Sequence, residues 1–120
     1  MSIGSAAKGS SGAAPILVPK RPDLVDYDDL STEDRVSLGN EAAAVSKVIK
    51  RRFEAHKTNV AMLGNMVPQL HCHVVGRFKD DPAWPGPIWG VGSAEPYEED
   101  AGRDRLATLR ADLISAFKHL

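Results

Sequence analysis

"VPQLHCHVVGR", residues 67–77, decides how this chain is read. It holds two of the four histidines, His71 and His73, with the only cysteine, Cys72, between them. Polar and apolar residues alternate there, which is the pattern of a strand with one buried face. In an extended chain successive side chains point to opposite faces, and same-face neighbours stand roughly 7 Å apart. Gln69, His71, His73 and Val75 then share one face, while Leu70, Cys72 and Val74 share the other. The second face is core-like. The first is a row of hydrogen-bonding groups that needs a cause.

Working outward, "GN" at Gly64 and Asn65 is a turn signal, and "TNVAML" before it reads as the partner strand. Further upstream, Ser31 with Asp34 three residues on is an acidic variant of the capping box. From there to about Arg52, Leu38, Ala42, Val45, Val48, Ile49 and Phe53 recur at three- and four-residue intervals, predicting an amphipathic helix. "RPDLVDYDDL" is a polar connection, and Ile16 to Val18 is a short strand closed by Pro19. Downstream, "KDDPAWPGPIWGVGSAEPYEED" is rich in proline and glycine and reads as a long irregular loop that Trp84 and Trp89 anchor. From Arg103 onward, Leu106, Leu109, Leu113, Ile114 and Phe117 mark a second amphipathic helix. The opening "MSIGSAAKGSSGAA" is expected to be a flexible leader over residues 1–14, with the folded domain at 15–120.

Bulk properties narrow the function. A chain of 120 residues is one domain. A net charge of -1 argues against a dedicated nucleic-acid or anionic-membrane surface. No stretch approaches the roughly 18 consecutive apolar residues of a membrane span, and the leader has no apolar segment of a secretory signal. One cysteine cannot form an internal disulfide, so a reducing cytoplasm is the expected compartment.

Three causes for the polar face stay open on the residues alone. It is a solvated sheet face, a metal site, or a nucleophilic centre for phosphorus chemistry. A zinc ion held by His71 and His73 would need a third ligand, and Cys72 points the other way. His56 or an acidic residue would have to supply it, at no recognisable spacing. For the third cause, a neutral imidazole attacks phosphorus and splits one displacement into two. It needs a group to fix its tautomer and donors for the non-bridging oxygens. Gln, His and His beside a Gly-Asn turn supply such parts.

The segment "NVAMLGNMVPQLHCHVVGRFKDDPAWPGPIWG", with "ILVPKR" and the helix after it, resembles the histidine triad (HIT) superfamily. The likeness is greatest to a bacterial subgroup carrying Gln-Leu-His-x-His and Trp-Pro-Gly-Pro-x-Trp. It covers roughly residues 15 to 120. The resemblance implies an α+β fold with an antiparallel sheet and two main helices, usually as a two-fold homodimer. It implies a purine nucleotide substrate and cleavage of a nucleoside phosphoanhydride or phosphoramidate, with no metal and no cofactor. His71 corresponds to the nucleophile that takes up the nucleotidyl group, and His73 to the histidine that binds phosphate or assists the leaving group. Gln69 stands where the first histidine of the triad would be, so that position hydrogen-bonds but carries no proton charge. Asn65 and Asn59 correspond to phosphate- or nucleotide-contacting positions.

For either asparagine the plain alternative is a turn-stabilising role. Trp84 and Trp89 are read as loop anchors or dimer contacts. Arg77 is read as a solvated strand end, with a phosphate contact as the alternative. His56 and His119 are read as surface histidines, and Cys72 as a small buried hydrophobe. Family members carry one or two further strands before the segment matching "ILVPKR". The leader stands there instead, so the N-terminal strands are expected to be truncated. The alternative function, of another class, is a non-catalytic nucleotide-binding or interaction module.

Overall fold

The structure, a computed structural model, describes residues 2–4, 16–19, 21, 23–89, 110–118 and 120. Its longest element is helix α1, Thr32–Phe53. Ser31 caps it in extended conformation, its hydroxyl accepting the Asp34 N–H at 3.1 Å. That satisfies one of the four donors every helix start leaves open. Asp34's own carboxylate turns to Arg21, 3.2 Å from its Nε. Glu33 and Asp34 in the first turn and Lys50, Arg51 and Arg52 in the last complement the helix dipole. The helix stops where Glu54 adopts a left-handed conformation, φ 55°.

The expected apolar stripe faces inward: Leu38, Ala42, Val45, Val48 and Ile49 are all buried. They pack against Leu70, Cys72 and Val74, with Phe53 half-buried beside them. Burying an aliphatic side chain of this kind stabilises by about 1.5–3 kcal/mol, so this one stripe is a principal cohesive element. Residues 110–117 form a second helix, α2, whose Leu113 is fully buried in the same cluster. Phe117 packs against the cluster, whereas Ile114 is about half exposed, contrary to expectation. Being next to Leu113 on a helix, it is turned some 100° away from the buried stripe. Leu106 and Leu109 lie outside the described residues. Arg52 and Asp112 link the two helices at 3.6 Å.

The fold is α+β. The helices cover one face of a four-stranded antiparallel sheet in the order β1-β2-β4-β3. Here β1 is Ser2–Gly4, β2 is Ile16–Val18, β3 is Lys57–Ala61 and β4 is Cys72–Arg77. On the N-terminal side the described sheet therefore carries only three-residue strands. Of the leader expected over 1–14, residues 2–4 pair with β2, and the rest lie outside the described residues. In register, His73 stands between Ile16 of β2 and Ala61 of β3.

One strand boundary differs from the sequence reading, which ran the second strand of the hairpin from Val67. The strand starts at Cys72. Pro68 has no N–H to give a ladder. The Leu70 N–H goes instead to the Leu24 carbonyl at 3.0 Å, outside the sheet. Gly64, at φ 66°, turns the chain after β3, and residues 62–71 form a long connection rather than a tight hairpin. The polar segment before α1 also does more than connect, since Leu30 is buried and Leu24 packs on the core. Residues 79–89 of the long loop are turns and bends, and 90–100 lie outside the described residues. Among the described residues no helix is long and apolar enough to cross a membrane.

Candidate active site

Because β4 begins at Cys72, Gln69 and His71 lie on its approach and His73 on its second residue. Gln69, His71 and His73 therefore do not form the regular strand-face row that alternation predicts. The chain at 69–71 is bent, and the bend has a consequence. The His71 ring folds back so that its Nδ1 is 2.6 Å from the backbone carbonyl oxygen of Gln69. A carbonyl only accepts, so Nδ1 carries the hydrogen and donates it. That fixes the tautomer of the neutral ring and leaves the lone pair on Nε2.

The His73 ring lies edge-on to His71, with centroids 4.9 Å apart and planes at 71°. Both rings are half-buried. Burial, and then the neighbouring His71, push the pKa of His73 below its ordinary 6.5. His73 is therefore a neutral imidazole at physiological pH, standing edge-on to the His71 ring. Gln69 contributes its backbone carbonyl to this arrangement, and its residue is exposed. Asn65 is exposed in the bend that follows Gly64.

Past His73, the same strand face closes over. Val75 and Arg77 are buried, so the face that alternation made polar is solvated at neither of these positions. Arg77 is 1% exposed and is thus neither a solvated strand end nor free to meet a phosphate. Its Nε donates to Asp81 Oδ2 at 2.8 Å, Nη1 to Asn59 Oδ1 at 2.8 Å, and Nη2 to the Gly86 carbonyl at 2.7 Å. Trp84 covers it, with Cζ 5.6 Å from the ring centroid. Loop residues 81–89 have folded back over β4, and a buried guanidinium needs its hydrogen bonds met there.

Asn59 pairs across β3 and β4 with Val75, on the side of the sheet that carries His73, and its amide oxygen is engaged by Arg77. Sequence reasoning missed Asp81 altogether. The signal was an acidic residue four positions after the arginine that ends β4.

The tryptophans also find their places. The Trp84 ring meets His56 edge-on at 5.3 Å, and the Trp89 ring meets His73 at 6.0 Å. Trp84 is thus a loop anchor, while Trp89 stands at the site itself. His56 is exposed at the surface, and His119 lies outside the described residues. Cys72 is fully buried, and burial pushes its thiol up to about 11. It faces the core and not the histidines. Among the described residues no three of His, Cys, Asp and Glu come together to hold a metal ion.

Comparison with known proteins bears on this geometry. The HIT domain family matches residues 11–80, more than half of the chain. A histidine triad protein from Sinorhizobium meliloti 1021 is 40% identical with a TM-score of 0.78, over 82% of this chain and 73% of that one. One from Bradyrhizobium japonicum is 37% identical with a TM-score of 0.78, over 83% and 75%. A third, from Marinobacter aquaeolei VT8, is 38% identical with a TM-score of 0.74, over 89% and 75%. No curated protein matches. Paired histidines at the head of a central antiparallel strand, on a sheet backed by one long helix, agree with these matches: the chain belongs to the histidine triad (HIT) family.

Proposed function

We propose that the chain is a nucleotide hydrolase or transferase of HIT type, acting through a nucleotidyl intermediate on His71. One observation carries the reading. The Nδ1–H of His71 is committed to the Gln69 carbonyl, so Nε2 is an available nucleophile. In the first step Nε2 forms a bond to the α-phosphorus of a purine nucleotide. The phosphoanhydride or phosphoramidate bond breaks, and its electron pair leaves with the leaving group. The phosphorylated ring is a cation that still holds its Nδ1 proton, and the Gln69 carbonyl stabilises it. Water then cleaves the P–N bond, releasing the nucleoside monophosphate and restoring neutral His71.

His73, held neutral beside it, has a ring N–H to offer to a phosphate oxygen or the departing group. Gln69 and Asn65 are exposed, and their side-chain amides are the proposed donors for non-bridging oxygens. Asn59, with its oxygen taken by Arg77, has its NH2 group for the nucleotide. The subgroup defined by Gln-Leu-His-x-His, a homodimer and a cytoplasmic location are part of the same reading. A free buried cysteine is consistent with the last of these.

The test uses a fluorescent adenosine polyphosphate and an adenosine phosphoramidate. The parent releases the monophosphate, quenched samples carry the nucleotidyl group on the protein, and His71→Ala shows neither. Binding without turnover by the parent would instead identify a nucleotide-binding module. Sedimentation velocity decides the oligomeric state in the same samples.

A further inference from the structure

Arg77 and Asp81 are the only buried charged residues among those described. Removing two charges from water is costly, and an apolar pair of similar size is often as stabilising. What such a pair does add is a definite geometry. The Arg77 fork reaches three acceptors in three segments: Asp81 at the start of the loop, Gly86 in its middle and Asn59 on β3. The loop turn is tight as well, with the Gly86 N–H 2.7 Å from the Ala83 carbonyl. A side-chain carbon added at Gly86 would stand 3.1 Å from that oxygen. Three residues beyond Gly86, Trp89 lies edge-on to His73. Arg77 itself is on the His73 side of β4, four residues along.

We propose that Arg77 is a positioning residue for His73: by clamping Asp81, Asn59 and Gly86 it fixes the path of residues 84–89, so that Trp89 walls the His73 ring. The proposal rests on the reading of His73 as the phosphate-binding or leaving-group histidine. The wall keeps water from one side of the imidazole and limits where the ring sits relative to His71. Lysine does not replace the fork, because an ammonium is a point donor and cannot bridge three planar-spaced acceptors. Loosening the clamp therefore frees Trp89, lets water reach His73 and widens its positions. The chemical step suffers more than substrate binding, as misplacement by about an ångström slows reactions by up to about 100-fold.

The experiment follows the His73 ring by NMR titration in the substrate-free protein, assigned with His73→Gln, alongside kcat and KM. Arg77→Lys and Trp89→Ala are each made, and then combined. We expect His73 to titrate at a higher pH in both single variants. The double variant matches Trp89→Ala alone, since the clamp acts through the indole. In Arg77→Lys, kcat falls roughly 10- to 100-fold with KM changed less than about threefold. An unmoved His73 titration in folded Arg77→Lys, or a double variant whose shift is the sum of the two, overturns the proposal. Should Arg77→Lys fail to fold, Asn59→Ala removes one prong of the clamp and is held to the same expectation and the same refutation. If the parent lacks turnover, the nucleotidyl reading fails, while the titration still decides whether Arg77 controls the surroundings of His73.

Discussion

At the scale of single residues, a backbone atom fixes how the His71 ring is held. The group that orients His71 is the carbonyl of residue 69, which is present whatever side chain stands there. With Gln69 where the resemblance implies a first triad histidine, the tautomer of His71, the proposed nucleophile, is thus set without help from that side chain. Gln69→Ala should lose at most one neutral donor to phosphate, about 0.5–1.5 kcal/mol, or up to roughly tenfold in kcat/KM. A loss near that of His71→Ala would show that the amide itself orients the nucleophile.

His73 gives a signed pH dependence. Its pKa is depressed in the fold, first by burial and then by His71, so the unfolded chain takes up this proton at a higher pH than the native one. The contribution of His73 is full above its unfolded value of about 6.5, and it diminishes as pH falls below that toward the native pKa. Urea unfolding at pH 7.5 and 5.5 should show a smaller pH loss for His73→Gln than for the parent. Cys72 is the opposite of a reactive thiol. With its pKa raised to about 11 and no exposure, it should resist iodoacetamide at pH 7.5 until the protein unfolds. Labelling of the native protein would contradict the burial.

At the scale of elements, legibility in the sequence followed the locality of the cause. Helix α1 was plain because its cap, its charge bias and its apolar stripe are all written in its own residues. Ser31→Ala should lower stability by about 1 kcal/mol, read as a shift in the urea midpoint with unchanged slope. An unchanged midpoint would mean that the Asp34 N–H finds another acceptor. The start of β4 was misplaced because alternation at 67–71 imitates a strand, whereas Pro68 and the tie from Leu70 to Leu24 break the ladder. The alternation still assigned Leu70 and Cys72 to the core correctly, since the bend preserves which side is apolar. Arg77 was misread for a different reason. Its burial depends on a loop that returns over the sheet, and the only local hint of that return is Asp81 four residues on. The histidine pair was visible, but the 2.6 Å bond that sets the His71 tautomer depends on a backbone angle, which no side-chain pattern encodes.

At the scale of the whole molecule, the sheet divides the work. One face joins α1, α2 and the inner side of β4 in a single apolar cluster, so cohesion is concentrated there. The other carries the histidines at one end of β4 and the Arg77 clamp at the other. The nucleotide is thus proposed to meet a surface whose support lies behind it, on the helical side. Binding to the native state alone adds RT ln(1 + [L]/Kd) to stability, about 2.7 kcal/mol at a hundredfold excess over Kd. For a domain of this size each kcal/mol moves Tm by several degrees. A purine nucleoside monophosphate at saturating concentration should therefore raise Tm by about 5–15 °C. Inosine or adenosine without phosphate should raise it less, because the donors proposed at the site address the phosphate. An equal shift with the nucleoside would place recognition on the base and away from His71 and His73. No shift with either would remove the nucleotide from this site.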